Sequence, residues 1–387
     1  MLTQLINGKI LTPQGWLKDG SVLISEGKIL EVNNSVLAVI GATVIDVKGM
    51  TIVPGYVAMH VYGANGREYT EATEDAFKIV TEDHLKHGAT SILPTIYSCT
   101  FENLYKAVSV CEKMMQDSSI IQGLHIEGPY LNPRMAGAHW VDALKDPDVE
   151  EYIPLVESTK CIKRWDISPE LPGALDFGKY ISGKGILTAL SHTEAEYEDI
   201  KAAFAAGFTH AANFYNAMPG FHKRREYKYE GTIESVYLTD DMTVEVIADG
   251  HHLPATILKL VYKLKGVEKT ALVTSAVKYT DYPYEIDDER FIVEDGVCKL
   301  ADRSSLAGSL ATMDKLVQTM VKKAGIPLED AVRMASETPA RLLKIDDHKG
   351  SLKKGKDADI VILDKDLNVR CVFANGQIVE GTNSMIH

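Results

Sequence analysis

Several things are scarce in this chain, and each scarcity excludes something. The five cysteines, Cys99, Cys111, Cys161, Cys298 and Cys371, are scattered with no paired spacing. That argues against a Cys-based zinc site and suits reduced thiols in a cytoplasm. No apolar run approaches the ~20 residues that a bilayer span needs. The first residues carry no charged start followed by a long apolar core, so they do not resemble a signal peptide. Basic residues are in deficit, 41 Lys and Arg against 54 Asp and Glu, for a formal net charge of −13. Nonspecific nucleic-acid binding needs the opposite balance. A Gly-x-Gly-x-x-Gly turn is missing too, which removes the signature of a dinucleotide fold. What remains is an ordinary globular composition, 45% hydrophobic and 25% charged. The expectation is a cytoplasmic protein that handles a small molecule and engages neither nucleic acid nor membrane.

A length of 387 residues suits one large domain plus a small one. The first ~50 residues alternate short β segments with turn signals at Asn7-Gly8, Asp19-Gly20, Glu26-Gly27 and Lys48-Gly49. Residues 21–24 and 28–32 read as a hairpin. The end of the chain has the same character, with Ala358 to Leu363 and Val369 to Phe373 as strands. Both termini are therefore expected to build one small β-sandwich domain, residues 1–54 plus 347–387. Between them, apolar runs at 52–60, 90–95, 120–127, 162–168, 186–192, 208–214, 243–249 and 270–276 alternate with helical patterns. Such alternation argues for a parallel sheet. Eight strands predict a closed (β/α)8 TIM barrel over residues 55–346, an α/β fold.

In a barrel of this kind the C-terminal strand ends carry the chemistry. Read in order, those ends are His60 with Tyr62, Glu127, Glu170, His192, His210 with Asn213, Asp249 with His251 and His252, then Ser275. Glu127 closes the apolar run Ile120 to Ile126, and Gly128-Pro129 stops the strand behind it. A carboxylate there caps the next turn, or is paired, protonated or bound to a metal, because an isolated buried charge is very costly. Polar residues at so many corresponding ends favour the functional alternative. Glu127 and His192 offer oxygen and nitrogen donors suited to zinc or iron, which acidify water.

These motifs reach a resemblance. Pro54 to Gly63 resembles the opening strand of the amidohydrolase superfamily. His125-Ile126-Glu127-Gly128-Pro129-Tyr130-Leu131-Asn132-Pro133, with Gly137-Ala138-His139 behind it, resembles the N-acetylglucosamine-6-phosphate deacetylases. Asn216 to Pro219, Ala248 to His252, Leu306 to Ser309, Ala335 to Ala340 and Gly350 to Asp359 match the same family in the same order. The resemblance implies metal-assisted removal of acetate from N-acetylglucosamine 6-phosphate in amino-sugar catabolism, in a homodimer. It makes Glu127 and His192 metal ligands, with His60 a further candidate donor. Ala138, His139, Asn216, Ala217 and His252 become sugar-phosphate contacts, His252 also a candidate catalytic group. It makes Arg224 the phosphate arginine, within the basic run His222 to Arg225, a role that suits a bidentate guanidinium. Leu306, Ala307, Gly308 and Ser309 resemble the loop over the acetyl end.

Four departures fall on the chemistry. Ala58 stands where the opening strand usually carries an acid, and Tyr62 replaces the second histidine of a His-x-His pair. Asn213 occupies the position of the third metal-ligand histidine. Ser275 occupies that of the aspartate which moves protons between water and the departing amine. Serine has no accessible pKa near neutrality, and losing a positioned acid/base costs about 10²–10⁴ in rate. An amide oxygen in place of imidazole weakens a zinc site. One weakened divalent-metal site (zinc or iron), or none, is therefore expected. The Gly-rich segment expected after the catalytic acid is replaced by residues 277–284, and His60, His251 and Asp281 are the candidates for a substitute base. The sequence leaves three alternatives: an impaired deacetylase, a non-catalytic sugar-phosphate-binding paralogue, or an amidohydrolase of altered substrate.

Overall fold

The computed structural model describes residues 2–282, 286 and 288–383. Its centre is eight parallel strands in sequence order, each followed by a helix. The strands are β1 (Tyr56–Val61), β2 (Ala89–Tyr97), β3 (Leu124–Glu127), β4 (Ile162–Ile167), β5 (Leu187–Leu190), β6 (Phe208–Ala211), β7 (Thr243–Ile247) and β8 (Thr270–Val273). The helices are α1 (Glu74–Lys86), α2 (Phe101–Asp117), α3 (Val149–Ser158), α4 (Ala174–Gly183), α5 (Tyr197–Ala205), α6 (Thr232–Leu238), α7 (Ala255–Lys265) and α8 (Met313–Lys322). Seven of the eight neighbour pairs are hydrogen-bonded ladders. The seam between β1 and β8 is bridged just beyond the strand ends, by Ser275 N to His60 O at 3.1 Å and Tyr62 N to Ala276 O at 2.9 Å. The fold is the expected (β/α)8 barrel.

The apolar run at 52–60 is not one strand. Thr51–Pro54 pairs antiparallel with Ile360–Leu363 in a second sheet, and β1 begins only at Tyr56. Gly55 sits between, its N–H donating to Asp359 O at 2.9 Å. Hydrophobicity cannot separate two strands of one apolar run, because both are buried. The second sheet joins the two ends of the chain around Leu5, Ile10, Val22, Ile29, Ile52, Ile360, Ile362 and Phe373. Gly8 lies where the long first strand, Leu2–Thr12, shifts register; a side chain there would collide with Ile52 and Val47. Among the described residues no helix is long and apolar enough to cross a membrane.

One helix end is capped from a distance. The Lys265 ammonium at the end of α7 donates to the carbonyls of Val236, Thr239 and Met242 at 2.7, 3.0 and 3.0 Å. Those groups terminate α6 and the turn after it, and a cation suits a helix C-terminus. Lys265→Met leaves two buried acceptors and one part-buried acceptor without their donor. The expected loss is about 2–3 kcal/mol, read as a lower urea midpoint at unchanged m-value.

Candidate active site

Glu127 is the last residue of β3 and is fully buried. His192, Asn213 and Ser275 lie two residues beyond the ends of β5, β6 and β8. All three have left-handed backbones, with φ of 47°, 46° and 48°. Non-glycine residues held there concentrate at functional sites. The three strand ends thus share one conformation for presenting a side chain. Asparagine tolerates that region well. All three side chains line a single pocket at the barrel mouth.

The Glu127 carboxylate is surrounded by donors. Tyr62 Oη donates to Oε2 in a short hydrogen bond, while Asn213 Nδ2 and Ser191 Oγ donate to Oε1 at 3.0 and 3.4 Å. His139 Nε2 and His192 Nε2 stand 3.4 and 3.6 Å from the same carboxylate. Burial alone would raise the Glu127 pKa, but the charge of His60 and the histidine hydrogen bonds outweigh it. The carboxyl is held well below its usual range. His60 is engaged at both ring nitrogens, Nδ1 to Glu245 at 2.7 Å and Nε2 to Tyr62 Oη at 2.8 Å. Burial disfavours its charge, yet Glu245 and Glu127 lift its pKa to about 9. A protonated His60 therefore donates on both sides, in a chain Glu245–His60–Tyr62–Glu127.

A divalent metal fits these residues. Glu127, His139 and His192 each bring a ligand atom to within 4.8 Å of the others. One carboxylate and two imidazoles form a set that zinc and iron accept. Asn213 Oδ1 is buried beside them with no hydrogen-bond partner. Glu127 and His192 would hold the ion, with His139 and Asn213 adjacent.

Beneath the pocket the barrel interior is ionic. Arg164 on β4 donates from Nε and Nη2 to Asp166 at 2.7 and 2.5 Å, and from Nη1 and Nη2 to Glu245 on β7 at 2.5 and 2.9 Å. His125 meets Asp166 at 2.9 Å, and His210 meets Thr243 at 2.8 Å and Glu245 at 3.3 Å. All of these charged groups are fully buried. His210 therefore belongs to the barrel interior.

The other residues singled out by sequence divide clearly. Ala138, His139, Asn216, Ala217, His252, Leu306, Ala307 and Gly308 line the same pocket. His252 Nδ1 is held by Asp249 at 2.7 Å. Ser309 is fully buried behind that lining, its N–H donating to Ser275 O at 2.9 Å. Arg224 is exposed on the hairpin His222–Arg224/Tyr227–Tyr229, pairs with Glu196 and is not among the lining residues. Glu170 joins Asn132, Thr193 and the Glu194 N–H, holding three loops together. None of the three substitute bases lines the pocket. His60 lies inside the barrel, His251 lines a different cavity and Asp281 pairs with His87. Of the replaced segment, Val277 lines the pocket, while Pro283 and Tyr284 lie outside the described residues. Sequence reasoning missed Glu68, Tyr97, Trp140, Ile247, Arg290, Phe291 and Ser305, which complete the wall. Arg290 lies over the Trp140 ring at 3.9 Å, and Tyr97 Oη donates to Glu68 at 3.0 Å. Tyr97 ends β2, and Glu68 and Phe291 lie in short strands outside the barrel, while Trp140 and Arg290 come from loops and turns, and none stands in a motif.

Comparison with known proteins agrees with this architecture. The Amidohydrolase family matches residues 51–379. An N-acetylglucosamine-6-phosphate deacetylase from Lysinibacillus sphaericus is 30% identical over 378 residues, 95% of this chain and 94% of that protein. An N-acetylgalactosamine-6-phosphate deacetylase from Escherichia coli O157:H7 is 29% identical, covering 96% and 97%. Among solved structures, a Mycobacterium smegmatis N-acetyl-D-glucosamine-6-phosphate deacetylase variant in complex with N-acetyl-D-glucosamine-6-phosphate superposes with a TM-score of 0.90. It is 30% identical, over 98% of this chain and 99% of that one. The enzyme from Pasteurella multocida superposes at 0.92 with 26% identity, over 98% and 99%. Sequence, strand-end geometry and superposition agree: the chain belongs to the amidohydrolase family of metal-dependent hydrolases, within its N-acetylglucosamine-6-phosphate deacetylase branch.

Proposed function

We propose that the pocket binds an N-acetylated amino-sugar 6-phosphate and cleaves its acetyl group slowly, because the group that should move the proton has been lost. One observation carries this reading. Of the side chains matching the family's substrate contacts, all but Ser309 and Arg224 line one pocket with His192, and Ser275 is on the same wall, at the position expected for the acid. Zinc or iron held by Glu127 and His192 would supply Lewis-acid activation of the carbonyl and of water. The chain's own residues then have limited work. His139, beside Glu127, is placed to donate to the amide oxygen as charge develops on it. His252, oriented by Asp249, presents its other ring nitrogen to the pocket. Asn216 and Ala217 contact the sugar, and Arg224 is the proposed phosphate ligand. Ser275 neither takes a proton from water nor returns one to nitrogen at neutral pH.

Differential scanning fluorimetry and acetate release test the reading together. Saturating N-acetylglucosamine 6-phosphate, at about 100 times Kd, stabilises the native chain by about 2.7 kcal/mol. His139→Ala and His252→Ala diminish that shift. Equal shifts with unphosphorylated N-acetylglucosamine would remove the phosphate from the proposal. A second reading, a pocket that binds without any turnover, draws on the Tyr62–Glu127 hydrogen bond, which satisfies the carboxylate without an ion. Metal analysis separates the two, since purified protein free of any near-stoichiometric divalent metal favours the second. A homodimer and a cytoplasmic location belong to the same proposal. The hairpin that carries Arg224 leaves Phe221 and Tyr227 exposed at 62% and 63%, a surface suited to a second copy. The division into residues 1–54 with 347–387 and 55–346 is proposed as well, supported by the pairing of Ile360–Leu363 with Thr51–Pro54.

A further inference from the structure

The segment that replaces the family's Gly-rich loop has a role outside the pocket. It carries Asp281, a non-glycine residue with a left-handed backbone, φ 50°. The loop is tied to the β1 side of the barrel by Asn65 N to Thr280 O and Gly66 N to Lys278 O, both at 2.7 Å. There Asp281 Oδ2 meets His87 Nε2 at 2.7 Å, and the other ring nitrogen, Nδ1, lies 3.4 Å from Asp314 Oδ1. His87 caps the C-terminus of α1, and Asp83 stands one turn earlier on the same face. Asp314 opens the first turn of α8. Three elements distant in sequence thus deliver three carboxylates and one imidazole to a single place.

The charges there do not balance. Asp83 is 8% exposed, and its Oδ2 is buried with no hydrogen-bond partner. A buried carboxylate oxygen without a donor is costly. Asp83, Asp281 and Asp314 sum to −3, and a protonated His87 returns only one charge. Lys86 and Lys315 flank the group and are felt by its carboxylates, without hydrogen-bonding to them. His84, buried alongside, donates its Nε2–H to Gly63 O at 3.1 Å, and its Nδ1 has no partner. Burial and Asp281 push the Asp83 pKa up, while Asp281 and Asp314 outweigh burial and lift His87 to about 10.

We propose that Asp83, His87 and Asp281 bind a second divalent cation of the mixed nitrogen–oxygen class, with Mn²⁺, Co²⁺ and Zn²⁺ the candidates, which pins the segment 277–281 to α1. Their ligand atoms lie within 4.8 Å of one another. Carboxylates with a single imidazole suit such ions rather than Ca²⁺ or a thiolate-seeking metal. His87 and Asp281 are partly exposed, at 28% and 49% of their side chains, which leaves an entry path and room for water ligands. Asp314 is placed to hold His87 from behind, as carboxylates orient ligating histidines. None of these side chains lines the pocket, but Val277 of the same segment does, so the cation would hold part of the pocket wall.

Mn²⁺ binding to the chelator-stripped full chain tests this directly, with free ion counted from its paramagnetic resonance signal. Glu127→Gln is used as the background, so that the pocket does not contribute. In that background one equivalent of Mn²⁺ is expected to bind. Adding Asp83→Asn or Asp281→Asn should weaken it by at least about 10–100-fold. Nitrogen modulation of the bound Mn²⁺ signal should vanish in His87→Gln, a readout that general destabilisation would not produce. Circular dichroism establishes that each variant is folded. No Mn²⁺ bound in the Glu127→Gln background, or undiminished binding in folded Asp83→Asn and Asp281→Asn, would overturn the proposal.

Discussion

The double change Ser275→Asp with Asn213→His raises acetate release from N-acetylglucosamine 6-phosphate by about 10²–10⁴-fold over the native chain. The backbone is already in place for it. Residue 275 is anchored by its N–H to His60 O at 3.1 Å and by its carbonyl to Ser309 N at 2.9 Å, with its side chain at the pocket wall. Aspartate is among the residues that enter the left-handed region readily, so φ 48° is no obstacle. Histidine at 213 returns a nitrogen donor beside Glu127 and His192, where the native residue turns an amide N–H on the carboxylate. The two positions act on one reaction, so the double change should exceed the product of the singles. Ser275→Ala, by contrast, leaves the native rate within a few-fold. Steady-state acetate release measures all of these. A native chain as fast as the double variant would mean that another group does the work assigned to aspartate.

Arg164→Met destabilises the fold by about 3–5 kcal/mol. The guanidinium is fully buried and bridges Asp166 and Glu245 across the barrel interior. Its removal leaves two carboxylates facing each other in a low-dielectric core, with the neighbouring His60, His125 and His210 too few to compensate. Replacing all three, with Asp166→Leu and Glu245→Leu added, should be less damaging than the single change, since an apolar group of similar volume is often tolerated where a broken pair is not. Urea unfolding gives both numbers. A single-variant loss below about 1 kcal/mol would show that water or proton uptake relieves the carboxylates.

The barrel was legible because eight apolar runs alternate with amphipathic helices, and strand order follows chain order. The split at Gly55 was not, since Thr51–Pro54 and Tyr56–Val61 are both buried and read as one run. The pocket lining from Ala138 to Gly308 followed from motifs, and most of it converges. The interior charges escaped notice although their spacing was visible. Arg164 and Asp166 lie two apart on one strand and so share its inward face. The partner, Glu245, is 81 residues away from Arg164, and pairing at that separation is a product of the fold. Likewise Asp281, a candidate base by its place in the chain, faces His87, a residue with no motif around it. Arg224 lies in the expected basic run, but on an exposed hairpin it does not line the pocket.

The central claim is a pocket that still recognises its sugar phosphate after losing most of its proton transfer. Nuclear magnetic resonance of N-acetylglucosamine 6-phosphate, carbon-13 labelled in the acetyl group and mixed with excess native protein, reads both halves at once. The predicted result is saturable shifting and broadening of the bound acetyl resonance. Free acetate should then appear about 10²–10⁴ times more slowly than with the double variant Ser275→Asp, Asn213→His. An acetyl resonance unmoved by the protein, or acetate released as fast by the native chain as by that variant, would contradict it.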